Sequence, residues 1–411
     1  MAKRPHNLLP CVWLLLWCVL LVACGVPPSA SGALDTALSF DHAALAELPP
    51  APAYRIGIQT EVTGSGAQIG DLSIRAARLA VEQINAAGGV DGVPLELVVR
   101  DCRSDVATAL AQYRAAVSDD ALVALLGPVK SAYAVPMVRE HLGQRLPLFI
   151  GATNTTLTEQ GDRNLFQMRP SIRVTAAAMV ALAVEQLGAS RVGIIYDNDL
   201  HGSNGAERLA SELATAGMEL ATQASYATAT TDYDPVARQI AAAKLDTLFV
   251  YGTNPTDIGR LLVAIRYRAP TVQIITSPGG SSMITHNLAG DAQDGIYVAL
   301  DSRYTSSPAG AGFVRDFRAR FSLDPDTYVT WYYDAVFLIA QALHEENGVP
   351  ADMSAAVRTA QFSGAQGPYQ FDARGEGLHE VALALMRGGE PQVIGSYDGT
   401  GLHAAVSAGA E

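Results

Sequence analysis

Cysteine is scarce: the 411 residues carry four. Cys11, Cys18 and Cys24 crowd the amino terminus, and only Cys102 stands in the remaining chain. With no partner for Cys102, an intramolecular disulfide framework is excluded, and this residue reads as a buried, inert thiol. Basic residues are also few, 28 Lys and Arg against 41 Asp and Glu, for a formal charge of −13 and a pI near 5.0. That balance argues against nucleic acid, which rewards dense Lys/Arg patches. Catalytic patterns are missing as well. The eight His residues are scattered, with no His/Glu or Cys pair at metal-ligand spacing. There is no Gly-x-Ser-x-Gly elbow. The stretch "TGSGAQIG", Thr63 to Gly70, lacks the Lys-Ser/Thr ending of a phosphate loop. No nucleophile has a base in view, so no enzyme, metal or cofactor site is expected.

What is present begins at the amino terminus. Lys3 and Arg4 precede an apolar segment, "LLPCVWLLLWCVLLVA", that is short for a membrane span. It ends in Leu21-Val22-Ala23-Cys24, which resembles the lipobox of bacterial lipoproteins. That resemblance implies a signal peptide over 1–23, cleavage before Cys24, and lipid on the Cys24 thiol and new amino terminus. A plain secretory signal and a retained anchor helix are the alternatives. Several acyl chains hold far better than one, at about 0.8 kcal/mol per buried CH₂. Residues 24–53, rich in Pro, Ala and Ser, read as a tether.

Beyond the tether the pattern is regular. Apolar runs of strand length recur, among them "YRIGIQT", "LELVVRD", "LVALLGP", "PLFIGA", "RVGIIYD", "LDTLFVY", "VQIITS" and "GIYVAL". Amphipathic stretches separate most of them. Ile69, Leu72, Ala76, Leu79, Ala80 and Ile84 share one helical face, and Gly88-Gly89 end that helix. Alternating strands and helices predict an α/β fold with parallel sheets and right-handed crossovers. One sheet of this size would be unusually wide, and a break falls at "MRPSIRV", Met168 to Val174, so two lobes are expected. Ligands of such sheets bind at the carboxyl ends of strands. At one such end lies "GATNTT", Gly151 to Thr156, a run of small and hydroxyl residues without charge. At another lies "GPVKSAYAVP", where Ser131 reads both as a helix N-cap and as a hydroxyl offered to an anion. Thr153 and the N–H groups of Gly151 and Ala152 would complete an anion clamp without any Arg.

These segments, with "AQIGDLSIRAARLAVEQINAAGGVDGVPLELVVRD", "TDYDPVARQI", "GDAQDGIYVAL" and "YYDAVFLIAQAL", occur in an order that resembles the type I periplasmic binding proteins of branched-chain amino acid ABC transporters, the leucine/isoleucine/valine-binding group. The resemblance runs from about Ala53 to Gly401. It implies two Rossmann-like lobes joined by three crossovers, lobe 1 over 53–171 plus 302–377 and lobe 2 over 172–301 plus 378–411. Carried over by position, Ser131, Gly151 and Thr153 hold a ligand carboxylate, Ile69 walls the pocket, and His201 stands where a Tyr is usual. Two positions depart from the pattern. A Glu that pairs with a ligand ammonium is replaced by Gly279, and a helping Tyr by Asn254. Asp257, read as opening a helix, and Asp301, read as part of a crossover, are not at the matching place. The carboxylate half of the clamp is intact and the ammonium half is not.

The resemblance implies an extracytoplasmic, lipid-anchored solute-binding protein that delivers an amino acid, organic acid or amide to an ABC permease and its ATPases by hinge closure. A sensory binding protein signalling to a membrane receptor is the alternative on the same fold.

Overall fold

The structure is a computed structural model that describes residues 52–302 and 307–405. The leader 1–23, Cys24 and nearly all of the tether lie outside the described residues.

Strands β1 (Tyr54–Thr60), β2 (Leu95–Asp101), β3 (Leu122–Leu126), β4 (Leu148–Ile150) and β5 (Leu165–Gln167) form a parallel sheet in the order β2-β1-β3-β4-β5. Ile56 pairs with Leu97 and Ile58 with Val99. Leu148, Phe149 and Ile150 are wholly buried, as expected of an apolar run covered on both faces. Helices α1 (Ala67–Ala86), α2 (Val106–Val117) and α3 (Ser131–His141) make the crossovers. The apolar stripe of α1 is buried at Leu72, Ala76, Leu79, Ala80 and Ile84. Gly88 and Gly89 then turn the chain at φ +107° and +76°, where a side chain would be strained.

The second sheet begins with β6 (Val192–Asp197), β7 (Leu220–Tyr226), β8 (Thr247–Tyr251), β9 (Gln273–Thr276) and β10 (Tyr297–Leu300), again parallel. Helices α4 (Ile172–Ala181), α5 (Leu200–Thr215), α6 (Asp234–Ala243), α7 (Pro255–Arg268) and α8 (Met283–Ala289) accompany it. The chain then returns to the first sheet. There α9 (Pro308–Phe321), α10 (Thr330–Glu345), α11 (Met353–Thr359) and a small hairpin of β11 (Phe362–Ser363) with β12 (Pro368–Tyr369) complete its cover. It ends in the second sheet as β13 (Val381–Arg387), β14 (Glu390–Tyr397) and β15 (Leu402–Ala404), giving the order β15-β14-β13-β10-β9-β8-β6-β7.

To the parallel strands that last edge adds an antiparallel part, because β13 to β15 run antiparallel. The cause is local. Gly388 and Gly389, both at positive φ, close a two-residue turn that can only join antiparallel strands.

The buried apolar side chains separate cleanly. Clusters around the first sheet draw on residues 56–168 and 313–378, and those around the second on 172–300 and 381–386. Between them the chain crosses at Met168–Ser171, after Leu300, and after Leu378. Cys102 is buried and its thiol is pushed up to about 11 by burial, which leaves it unreactive.

Candidate functional site

A cavity of about 290 Å³ opens between the carboxyl edges of the two sheets. Four helix starts supply its wall: Gln68 and Ile69 from α1, Lys130 to Tyr133 at α3, Asp199 and His201 at α5, and Thr253 to Thr256 at α7. Each start carries N–H groups without intrahelical partners and a partial positive charge, so the cavity suits an anion.

Ser131 is the best-placed donor. It is 2% exposed, lines the cavity, and its Oγ has no hydrogen-bond partner among the described residues. The structure corrects its capping role. Lys130 holds the N-cap position, Ser131 begins the helix, and Pro136 sits inside it, beyond the first turn. The hydroxyl is therefore free for a ligand.

Two cations on the wall are already paired. The Lys130 ammonium lies 2.7 Å from Glu61, whose carboxylate also accepts from the Tyr133 hydroxyl. Arg169, on the crossover after β5, forms an ion pair with Asp301 on the second crossover, and both are 3% exposed. Its Nη1 donates to the Gly151 carbonyl at 2.8 Å, and its guanidinium lies over the Tyr328 ring, 4.9 Å from the centroid. Burial opposes the Arg169 charge, but Asp301 outweighs it and holds the group above its usual range.

The acid on the wall is Asp199. It caps α5, with its Oδ1 accepting from the N–H groups of His201 and Gly202 at 2.9 and 2.8 Å. Burial works to raise this carboxyl, but the Gly202 N–H, His201 and Asp197 outweigh it and hold it below the usual range. Asp197, wholly buried behind it at the end of β6, is pushed up to about 8 by burial and by the Asp199 charge. His201 is pushed down to about 4 by burial, against the pull of Asp199, and is neutral near pH 7.

The residues singled out from sequence divide into two groups. Ile69, Ser131, His201 and Asn254 line the cavity together, Asn254 as the cap of α7. Gly151, Ala152, Thr153 and Gly279 are buried but are not part of its wall. At Gly151 the Trp331 indole lies so close that a Cβ would stand 2.2 Å from its Nε1. The Ala152 carbonyl accepts from Gln167 at 2.8 Å. The Tyr328 hydroxyl stands in front of Gly279, 2.4 Å from where its Cβ would be. Thr153 turns across the cleft, its hydroxyl 3.4 Å from His201 Nδ1. Its neighbours follow: Asn154 donates to the Leu200 carbonyl at 3.2 Å, and the Thr155 N–H donates to Asn204 Oδ1 at 3.1 Å. "GATNTT" is thus a seam between the two sheets' assemblies.

Asp257 is wholly buried in the first turn of α7, accepting from Tyr233 and from the Ala229 N–H. Sequence reasoning missed Arg169, Asp199 and Tyr328. A lone Arg in an apolar crossover, and an Asp three residues before a Gly at a helix start, were signals for the first two. Tyr328 had none.

The family model described as periplasmic binding protein matches residues 53–390. The chain belongs to that family. It is a binding protein of the periplasmic type, working outside the cytoplasm. It is 24% identical over 329 residues to the leucine-, isoleucine-, valine-, threonine- and alanine-binding protein of Pseudomonas aeruginosa, an alignment covering 79% of this chain and 87% of that protein. Its fold is similar to that of a leucine binding protein from Thermotoga maritima, with a TM-score of 0.76 and 19% identity over 84% of this chain and 99% of that one. It is similar too to an R. palustris solute binding protein in complex with benzoate, with a TM-score of 0.75 and 19% identity, covering 86% and 96%.

Proposed function

We propose that this protein captures a small carboxylate-bearing solute, an amino acid or a related organic acid, and delivers it to an ABC permease and its ATPases. The observation that carries the reading is Ser131: a buried hydroxyl without a partner, at a helix start, on the wall of a cavity fed by three further helix starts. A carboxylate seated there gains the Ser131 hydroxyl and free N–H groups of α3, each charge-assisted bond contributing about 1.5–3 kcal/mol once water is excluded. The relatives agree on that end of the ligand, since the named amino acids and benzoate all carry a carboxylate.

The two assemblies act as lobes that hinge at the three crossovers, over 53–171 plus 302–377 and 172–301 plus 378–411. Lobe 1 takes the ligand first, and lobe 2 closes over it with His201 and Asn254. The ligand leaves unchanged. Lipid on Cys24 holds the protein at the membrane beside its permease.

A thermal-shift screen of the full chain against amino acids, amides and aliphatic and aromatic acids tests this reading. A ligand at a hundredfold excess over Kd stabilises by about 2.7 kcal/mol. Carboxylates raise the melting temperature, and their matching alcohols do not. Equal shifts from the alcohols contradict the proposal.

A further inference from the structure

We propose that Asp199 selects the charge of the ligand: its carboxylate receives an ammonium group, so the cavity prefers amino-bearing carboxylates to plain acids of the same shape. This rests on the carboxylate being held at Ser131, and it assigns the opposite end.

The charges on the cavity wall lead to it. Arg169 is committed to Asp301 and Lys130 to Glu61, while His201 is neutral. Among the described residues Asp199 is the one charge on the wall with no Lys or Arg paired to it. A carboxylate enclosed by lobe closure without a cation is costly, and a ligand ammonium removes that cost.

Asp199 is also kept ionised by its surroundings. Asp197 Oδ2 accepts from the Thr253 N–H at 2.6 Å, but its Oδ1 has no donor and is wholly buried. The Asp199 charge helps to raise the Asp197 carboxyl and Asp197 helps to lower that of Asp199, which leaves the proton on Asp197 and the charge on Asp199. Gly202 leaves room for this arrangement, because a Cβ there would stand 1.9 Å from Asp197 Oδ1. A helix cap needs only one oxygen of Asp199 and no buried acid behind it. The pair therefore does more than cap, and the bare Ser131 hydroxyl elsewhere on the same wall marks the cavity as a ligand site independently.

The test compares matched compounds by calorimetry on the full chain: leucine against 4-methylpentanoate, and phenylalanine against 3-phenylpropanoate. It repeats them on Asp199→Asn and, as a second variant, Asp199→Ser. Asn and Ser cap helices as well as Asp, so both variants keep the fold. The amino acid of at least one pair binds at least tenfold tighter than its plain acid, and both variants erase that preference, weakening the amino acid and not the plain acid, whose binding no longer encloses an unpaired carboxylate. Equal binding within the pairs, or a preference that survives both variants, overturns the proposal. The carboxylate reading then stands alone if Ser131→Ala still weakens the acids. If no carboxylate binds, both readings fall.

Discussion

Arg169, leaving β5, reaches Asp301, leaving β10, so that two of the three crossovers are tied by one buried ion pair. The same guanidinium holds the Gly151 carbonyl and covers Tyr328 on the cavity wall. The pair therefore connects two crossovers to the site. Arg169→Ala leaves Asp301 buried and unpaired, and the expected loss is about 3–5 kcal/mol in urea unfolding. Replacing both partners by apolar residues of similar volume costs less than the single change. A single variant no worse than the double one contradicts this role.

Across the cleft, Asn204 receives the Thr155 N–H at 3.1 Å and lies 3.3 Å from its hydroxyl. Asn204→Ala removes contacts made only when the lobes are together. At about 0.5–1.5 kcal/mol per bond, ligand release quickens several-fold with little change in association. Trp331 is the only tryptophan among the described residues, since the other two are Trp13 and Trp17, and its fluorescence in stopped flow follows the step.

Gly151 and Trp331 make a tighter constraint. A Cβ at Gly151 would meet the indole at 2.2 Å, so Gly151→Ala overpacks a buried contact and costs about 1–3 kcal/mol. Thermal unfolding shows it as a lowered melting temperature, and the Trp331 emission shifts in the folded state.

Asp197 gives a pH dependence with a defined sign. Its folded value of about 8 lies above the unfolded carboxyl, near 3.9. Between these values the unfolded chain has released a proton that the folded chain keeps, so this group's contribution to stability falls as pH rises and levels off above about 8. Asn at this position has no such proton. The urea midpoint of Asp197→Asn therefore gains on that of the unsubstituted protein between pH 5 and pH 8. A gap that stays constant contradicts the assignment.

Most strands of both sheets were legible because a doubly covered strand is a continuous apolar run, as in "LVALLGP" and "RVGIIYD". β7, "LATQASY", escaped because polar residues alternate along an edge strand, and β5 because three residues carry too little pattern. At the site, Ser131 was legible from its place after an apolar run. Gly151 and Thr153 lie behind the cavity wall, because what covers them comes from far along the chain, Trp331 for one and His201 for the other. Asp199 was hidden by its own cap, which explains an Asp at a helix start without any ligand.

Calorimetric titration of the acid that gives the largest thermal shift, into the full chain and into Ser131→Ala, tests the central claim most directly. Because the Ser131 hydroxyl has no partner among the described residues, the free variant keeps its melting temperature. The account predicts a Kd at least tenfold weaker for the variant, equivalent to the loss of about 1.4 kcal/mol. An unchanged Kd would show that the carboxylate is held elsewhere.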